Sequence, residues 1–127
     1  MFTHVMVGYN DFEASAGFYD ATFTALGVQG QRVEGRAFYG SPEKGMFGLG
    51  PPRDGEPASH ANGGTIGLQA ESVDLVDAWH AAGLENGGSD EGAPGRRDYG
   101  PQPMYGAYLR DPVGNKLCCF TTNYQPE

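Results

Sequence analysis

Residues 2–8, FTHVMVG, alternate between two sides. Thr3, Val5 and Val7 share one side and Phe2, His4 and Met6 the other, which predicts a strand. Asn10-Asp11 follows as a helix start signal. In FEASAGFYDATFTAL, Phe12, Ala16, Tyr19, Phe23 and Leu26 recur at steps of four and three, one helical stripe ending at Gly27. QRVEG, RAFYG and GMFGLG then read as short strands in a meander. Residues 51–62, PPRDGEPASHAN, form a Pro-rich linker. GTIGLQA restores the alternation, with Ile66, Leu68 and Ala70 on one side and Thr65, Gly67 and Gln69 on the other. Ser72 caps a second helix with Val73, Val76, Trp79 and Ala82 inward, which leaves His80 exposed. Residues 86–103 suggest one weak strand and a long loop. MYGAYLR and KLCCF read as strands joined by the turn Asp111-Pro112-Val113-Gly114-Asn115.

A shift of 61 residues superposes the two halves. His4 falls on Thr65, Val5 on Ile66, Val7 on Leu68, cap Asp11 on cap Ser72, Phe12 on Val73 and Phe18 on Trp79. The expected class is therefore α+β: two βαβββ modules, residues 1–50 and 63–127, in one domain of 127 residues. Val5, Val7, Ile66 and Leu68 face the helices in this register.

Composition narrows the partners. With 39% hydrophobic and 19% charged residues the chain is globular. A formal charge of −8 argues against nucleic acid, which needs a basic footprint. It suits solubility, or a cationic ligand. The only basic pair, Arg96-Arg97, reads as a solvated loop. No stretch is long and apolar enough for a membrane span, and the N-terminal residues carry no secretory signal. Cys118 and Cys119 are neighbours on a strand and point to opposite faces, so they are poorly placed to bridge each other. A reducing cytoplasm is the expected compartment.

Three stretches together resemble a known family. HVMVGYNDFEASAGFYDATFTALGV, GTIGLQAESVDLVDAWHAAG and YGAYLRDPVGNKLCCF, the last with an Asp-Pro-x-Gly-Asn turn, are similar to vicinal-oxygen-chelate proteins, the glyoxalase/bleomycin-resistance/dioxygenase superfamily. The resemblance covers nearly the whole chain. It implies a cup-shaped eight-stranded mixed sheet with helices on its outer face, and a homodimer. It also implies metal ligands on the first, fourth, fifth and eighth strands. Only His4 matches. Residues 45–50 offer no carboxylate or histidine, the fifth-strand place holds Thr65, and the eighth-strand place holds Cys118.

In that family the sheet face away from the helices lines the cleft. Parity puts His4, Met6, Thr65, Gly67, Gln69, Cys118 and Phe120 there. Tyr39, Tyr99, Tyr105 and Tyr108 could cap a ligand, and Tyr105 and Tyr108 are preferred over Tyr39, because one strand bordering the cleft carries both. His4 and Cys118 are the candidates for catalysis, as a base and a thiol, since the resemblance sets the first and last cleft strands opposite each other. The expected function is metal-free binding of a small organic molecule. Two alternatives stay open: a lactoylglutathione-lyase-like enzyme or extradiol-type dioxygenase with Zn, Ni, Mn or Fe, and a metal-free enzyme using His4 and Cys118. If a metal binds, His60 or Glu43 are the places to seek further donors.

Overall fold

The computed structural model describes residues 1–126, all but the last residue of the second module. The first module runs β1 (His4–Gly8), α1 (Phe12–Ala25), β2 (Gly30–Val33), β3 (Arg36–Ser41) and β4 (Gly45–Gly50). The second runs β5 (Ile66–Gln69), α2 (Val73–Glu85), β6 (Ser89–Arg97), β7 (Met104–Arg110) and β8 (Lys116–Thr121). Their sheets have the same order, β1-β4-β3-β2 and β5-β8-β7-β6. In each, the first strand runs parallel to the last, Val5 beside Phe47 and Ile66 beside Leu117, and the remaining pairs are antiparallel. The α+β class and the paired βαβββ modules are as the repeat predicts. Thr65 lies one residue ahead of β5.

The helix ends follow local chemistry. Asp11 accepts the Ala14 N–H and Ser72 the Leu75 N–H, each satisfying a donor the first turn leaves free. After α1, Gly27 takes φ +74°, and Val28 N–H reaches back to the Phe23 carbonyl. That left-handed stop is one a side chain would resist.

One face of each sheet carries a helix. On α1, Phe23 stacks on Tyr39 at 4.6 Å and Tyr19 lies 4.8 Å from Phe47. On α2, Val76, Trp79, His80 and Gly83 turn inward onto Leu109, Leu117 and Cys119. The helices also meet each other, so a single core runs through both modules. The eight strands do not close into one curled sheet. They form two open four-stranded sheets, with β1 and β5 as edges.

Two expectations for the second module need correction. Residues 89–97 are not a weak strand but a nine-residue one, kept in the sheet by register shifts at Asp90/Gly92 and Gly92/Gly95. His80 is not exposed: it is buried, with Nε2 2.8 Å from Asp90 Oδ1. The long β6 brings that carboxylate over the end of α2, and the His80 contact holds the Asp90 carboxyl below the usual carboxylate range.

Candidate functional site

Each sheet has a helix-free face, and strand parity sends the expected residues to it. On the first sheet these are His4 and Met6, with Phe38, Met46 and Gly48 beside them in register. His4 is exposed, its Nδ1 2.9 Å from Thr3 Oγ1. Met6 lies across Gly48, where no side chain fits beneath its sulfur. Next to it a groove of about 380 Å³ opens between Met6, Gly8, Gly50 and linker residues Pro52 and Ala58. The linker is pinned there by Asn10, whose side-chain amide both donates to and accepts from the Ala58 backbone.

On the second sheet the helix-free face holds Gln69, Lys116, Cys118, Phe120 and Tyr108. Tyr108 and Phe120 meet edge to face at 5.7 Å, and Tyr99 lies 6.0 Å from Phe120. Gly67 opposite Cys118 and Gly106 beneath Phe120 leave the space these side chains take. Thr65 is exposed, and a small groove of about 150 Å³ runs from it past His60 to Arg110 and Lys116.

Tyr105 does not belong with these residues. It lies three positions from Tyr108, so the pleat turns it to the opposite face, where its hydroxyl donates to Asp77 of α2 at 2.6 Å. Burial first, then that carboxylate, pushes its phenol up to about 12. Tyr39 is likewise on the helix side, donating to Asp20 at 2.6 Å. The expectation that one strand offers both Tyr105 and Tyr108 to a ligand fails on this alternation.

His4 and Cys118 lie on different sheets, and no hydrogen bond joins them among the described residues. Burial pushes the Cys118 thiol up, against a smaller opposing pull from Lys116, and pushes Cys119 up to about 12. Neither is poised as a thiolate. Alkylation of both by iodoacetamide at pH 7.5 is therefore expected to run about tenfold or more slower than for a free cysteine, whose pKa is about 8.5. A rate equal to free cysteine, followed by mass spectrometry, contradicts the burial argument.

Among the described residues no three His, Cys, Asp or Glu side chains come together as a metal would require. The His60 ring sits against Gly114 of the β7–β8 turn. Glu43 is exposed in the turn before β4.

Sequence reading missed Arg97. Arg96 and Arg97 lie in β6, not a loop, and point to opposite faces. Arg96 pairs with Asp98, while Arg97 is half-buried on the helix-free face near Tyr108. Pro94 and the surrounding glycines hid the strand. Lys116 was missed as well, although its parity, shared with Cys118, could have placed it.

These features place the chain among known proteins. The model of the Glyoxalase/Bleomycin resistance protein/Dioxygenase superfamily matches residues 1–119, and the chain belongs to that superfamily. A solved glyoxalase/bleomycin resistance protein from Albidiferax ferrireducens T118 is 50% identical, with a TM-score of 0.89 over 95% of this chain and 98% of that one. An enzyme of the glyoxalase/bleomycin resistance protein/dioxygenase family from Burkholderia phytofirmans PsJN shares 18% identity, with a TM-score of 0.69 over 94% of this chain and 97% of that one. A lactoylglutathione lyase from Agrobacterium tumefaciens shares 21% identity, with a TM-score of 0.63 over 95% and 92%. At those two lower identities the likeness shows the fold alone. No curated protein matches the sequence.

Proposed function

We propose that this protein binds a small organic molecule on the helix-free faces of its sheets, without the metal site of the family's enzymes, and that it works as a homodimer. The observation that carries the reading is the second sheet's helix-free face. Tyr108, Phe120 and Cys118 gather there over Gly67 and Gly106, an apolar surface with a few placed polar groups, as ligand sites generally are. The scattered donors support the metal-free part. The dimer is supported by the open sheets and by exposed Phe2, Met6 and Val33, apolar side chains on or beside the first sheet that a second copy would cover.

The test is a screen of small organic molecules against isotope-labelled protein, read by amide shifts. Shifts clustered on β7 and β8, or on β1 and β4, are expected; binders that shift only residues elsewhere overturn the reading, as does a screen without binders. Sedimentation is expected to return twice the 13.5 kDa chain mass, and the single mass at micromolar concentration overturns the dimer. His4→Ala is expected to leave metal content unchanged. About one zinc, nickel, manganese or iron per chain, lost in that variant, overturns the metal-free part.

A further inference from the structure

The chain has 16 acidic side chains and 8 lysines and arginines. Arg32 pairs with Glu13 and Asp20, Arg96 with Asp98, and Arg110 with Glu91. Arg36, Lys44, Arg53, Arg97 and Lys116 have no such partner among the described residues, and of these five only Arg97 and Lys116 are half-buried. Both lie on the helix-free face of the second sheet and both approach one ring. Lys116 Nζ is 5.3 Å from the Tyr108 ring centre and Arg97 Cζ is 6.0 Å from it.

The Arg97 side chain is held in place. Its guanidinium lies along β6 over Gly92 and Gly95, where a Cβ would come within 3.3 and 3.2 Å of its nitrogens. It donates to the Ala93 carbonyl at 2.9 Å and to the Arg96 carbonyl at 3.3 Å. The negative face of the Tyr108 ring attracts each cation but is a weaker partner than a carboxylate. An anion beside either cation would gain charge-assisted hydrogen bonds. Aromatic rings lie beside the two cations. Phe120 lies flat over Gly106, edge-on to Tyr108, with Tyr99 beyond it.

Building on the small-molecule reading above, we propose that this face takes an aromatic carboxylate, its anionic end beside Arg97 and Lys116 and its ring against Phe120 and Tyr99. The ligand's charge is thus opposite to the one that net charge alone suggests. The Tyr108 hydroxyl assists as a neutral donor. Burial first, then the neighbouring Tyr99 hydroxyl, pushes it up to about 12, so it keeps its proton in front of an anion.

Three probes with one ring and different charge test this: benzoate, benzyl alcohol and benzamidine, each titrated into labelled protein and followed at Tyr99, Tyr108 and Phe120. Benzoate is expected to saturate these signals with a Kd about tenfold or more below that of benzyl alcohol, and benzamidine to give no saturation there. Arg97→Gln and Lys116→Gln are each expected to weaken benzoate about fivefold or more and to leave benzyl alcohol unchanged. Raising the salt to about 0.5 M repeats the test on the unaltered chain, should a variant fail to fold. It should weaken benzoate severalfold and benzyl alcohol hardly at all. Equal or tighter binding of benzyl alcohol or benzamidine at these residues overturns the proposal, while the small-molecule reading stands. Benzoate shifts confined to other parts of the chain overturn both. If none of the three binds, the carboxylate proposal falls and the broader screen alone decides the other.

Discussion

Replacing Asp111 by Ala is expected to destabilise the folded chain by about 3 kcal/mol or more. The side chain is buried and fully used. Oδ1 accepts the N–H groups of Val113, Gly114 and Asn115 at 3.0, 2.9 and 2.9 Å, closing the turn between β7 and β8. Oδ2 accepts the Asn115 side chain at 2.8 Å and the Tyr19 hydroxyl at 2.5 Å. The last bond joins α1 of the first module to the turn of the second. Burial, then the carboxylate beside it, raises the Tyr19 phenol well above its ordinary range, so it is a donor at every pH at which the protein is studied. Ala at 111 frees the Val113 and Asn115 N–H groups, while Gly114 keeps its bond to the backbone carbonyl of residue 111, and it leaves the fully buried Tyr19 hydroxyl without an acceptor. Each hydrogen bond contributes about 1 kcal/mol, and an orphaned buried group costs more than its bond did. Tyr19→Phe keeps the turn and removes only the link between modules, so about 1–2 kcal/mol is expected. Urea unfolding checks both, and an Asp111→Ala loss below about 1 kcal/mol would show that the turn holds without its carboxylate.

The second expectation sets one substitution against itself at two helical glycines. Ala is preferred to Gly in a helix interior by about 0.5–1 kcal/mol. At Gly17 of α1 an added Cβ meets nothing within 4 Å, so Gly17→Ala should stabilise by that amount. At Gly83 of α2 the same Cβ runs into Leu109 Cδ1 and comes within 3.2 Å of Phe18 Cε2. Leu109 and Phe18 are both fully buried, so neither yields without disturbing the core that α1 and α2 share. Overpacking of this kind costs about 1–3 kcal/mol and outweighs the helical gain, so Gly83→Ala should destabilise by about 1–2 kcal/mol. Urea midpoints moving in opposite directions at equal slope confirm the pair. A shift in the same direction refutes the close approach of α2 to Phe18 and Leu109.

Helix and strand positions were legible because their signals are local. The stripe Phe12, Ala16, Tyr19, Phe23, the caps Asp11 and Ser72 and the stop at Gly27 need only neighbouring residues to act. The 61-residue shift carried the parity of β1 into β5, which correctly turned Val5 and Ile66 away from the face that bears His4. It did not survive to the last strands. Phe47 corresponds to Leu117, a shift of 70, because β6 and the loops on either side of β7 are longer than their counterparts in the first module.

The errors have different sources. Tyr105 and Tyr108 were grouped by strand when the pleat separates them. His80 was judged from its own helix, although its partner Asp90 comes from β6. Arg97 was read as part of a loop because bulges and a proline break the alternation of a strand whose hydrogen bonds nonetheless continue.

The sequence by itself determined the two βαβββ modules, the parity of β1 and β5, the caps and the DPVGN turn. Those depend on periodicities and on turn chemistry within a few residues. Only the tertiary structure decided that the strands stay in two open sheets, that Tyr19 reaches Asp111 and His80 reaches Asp90, and that Arg97 and Lys116 converge on Tyr108. Each joins positions far apart along the chain or on different strands, and their meeting depends on strand register and helix roll. Those are fixed by how Phe18, Trp79, Leu109 and their neighbours fill a common core, a condition no local pattern contains.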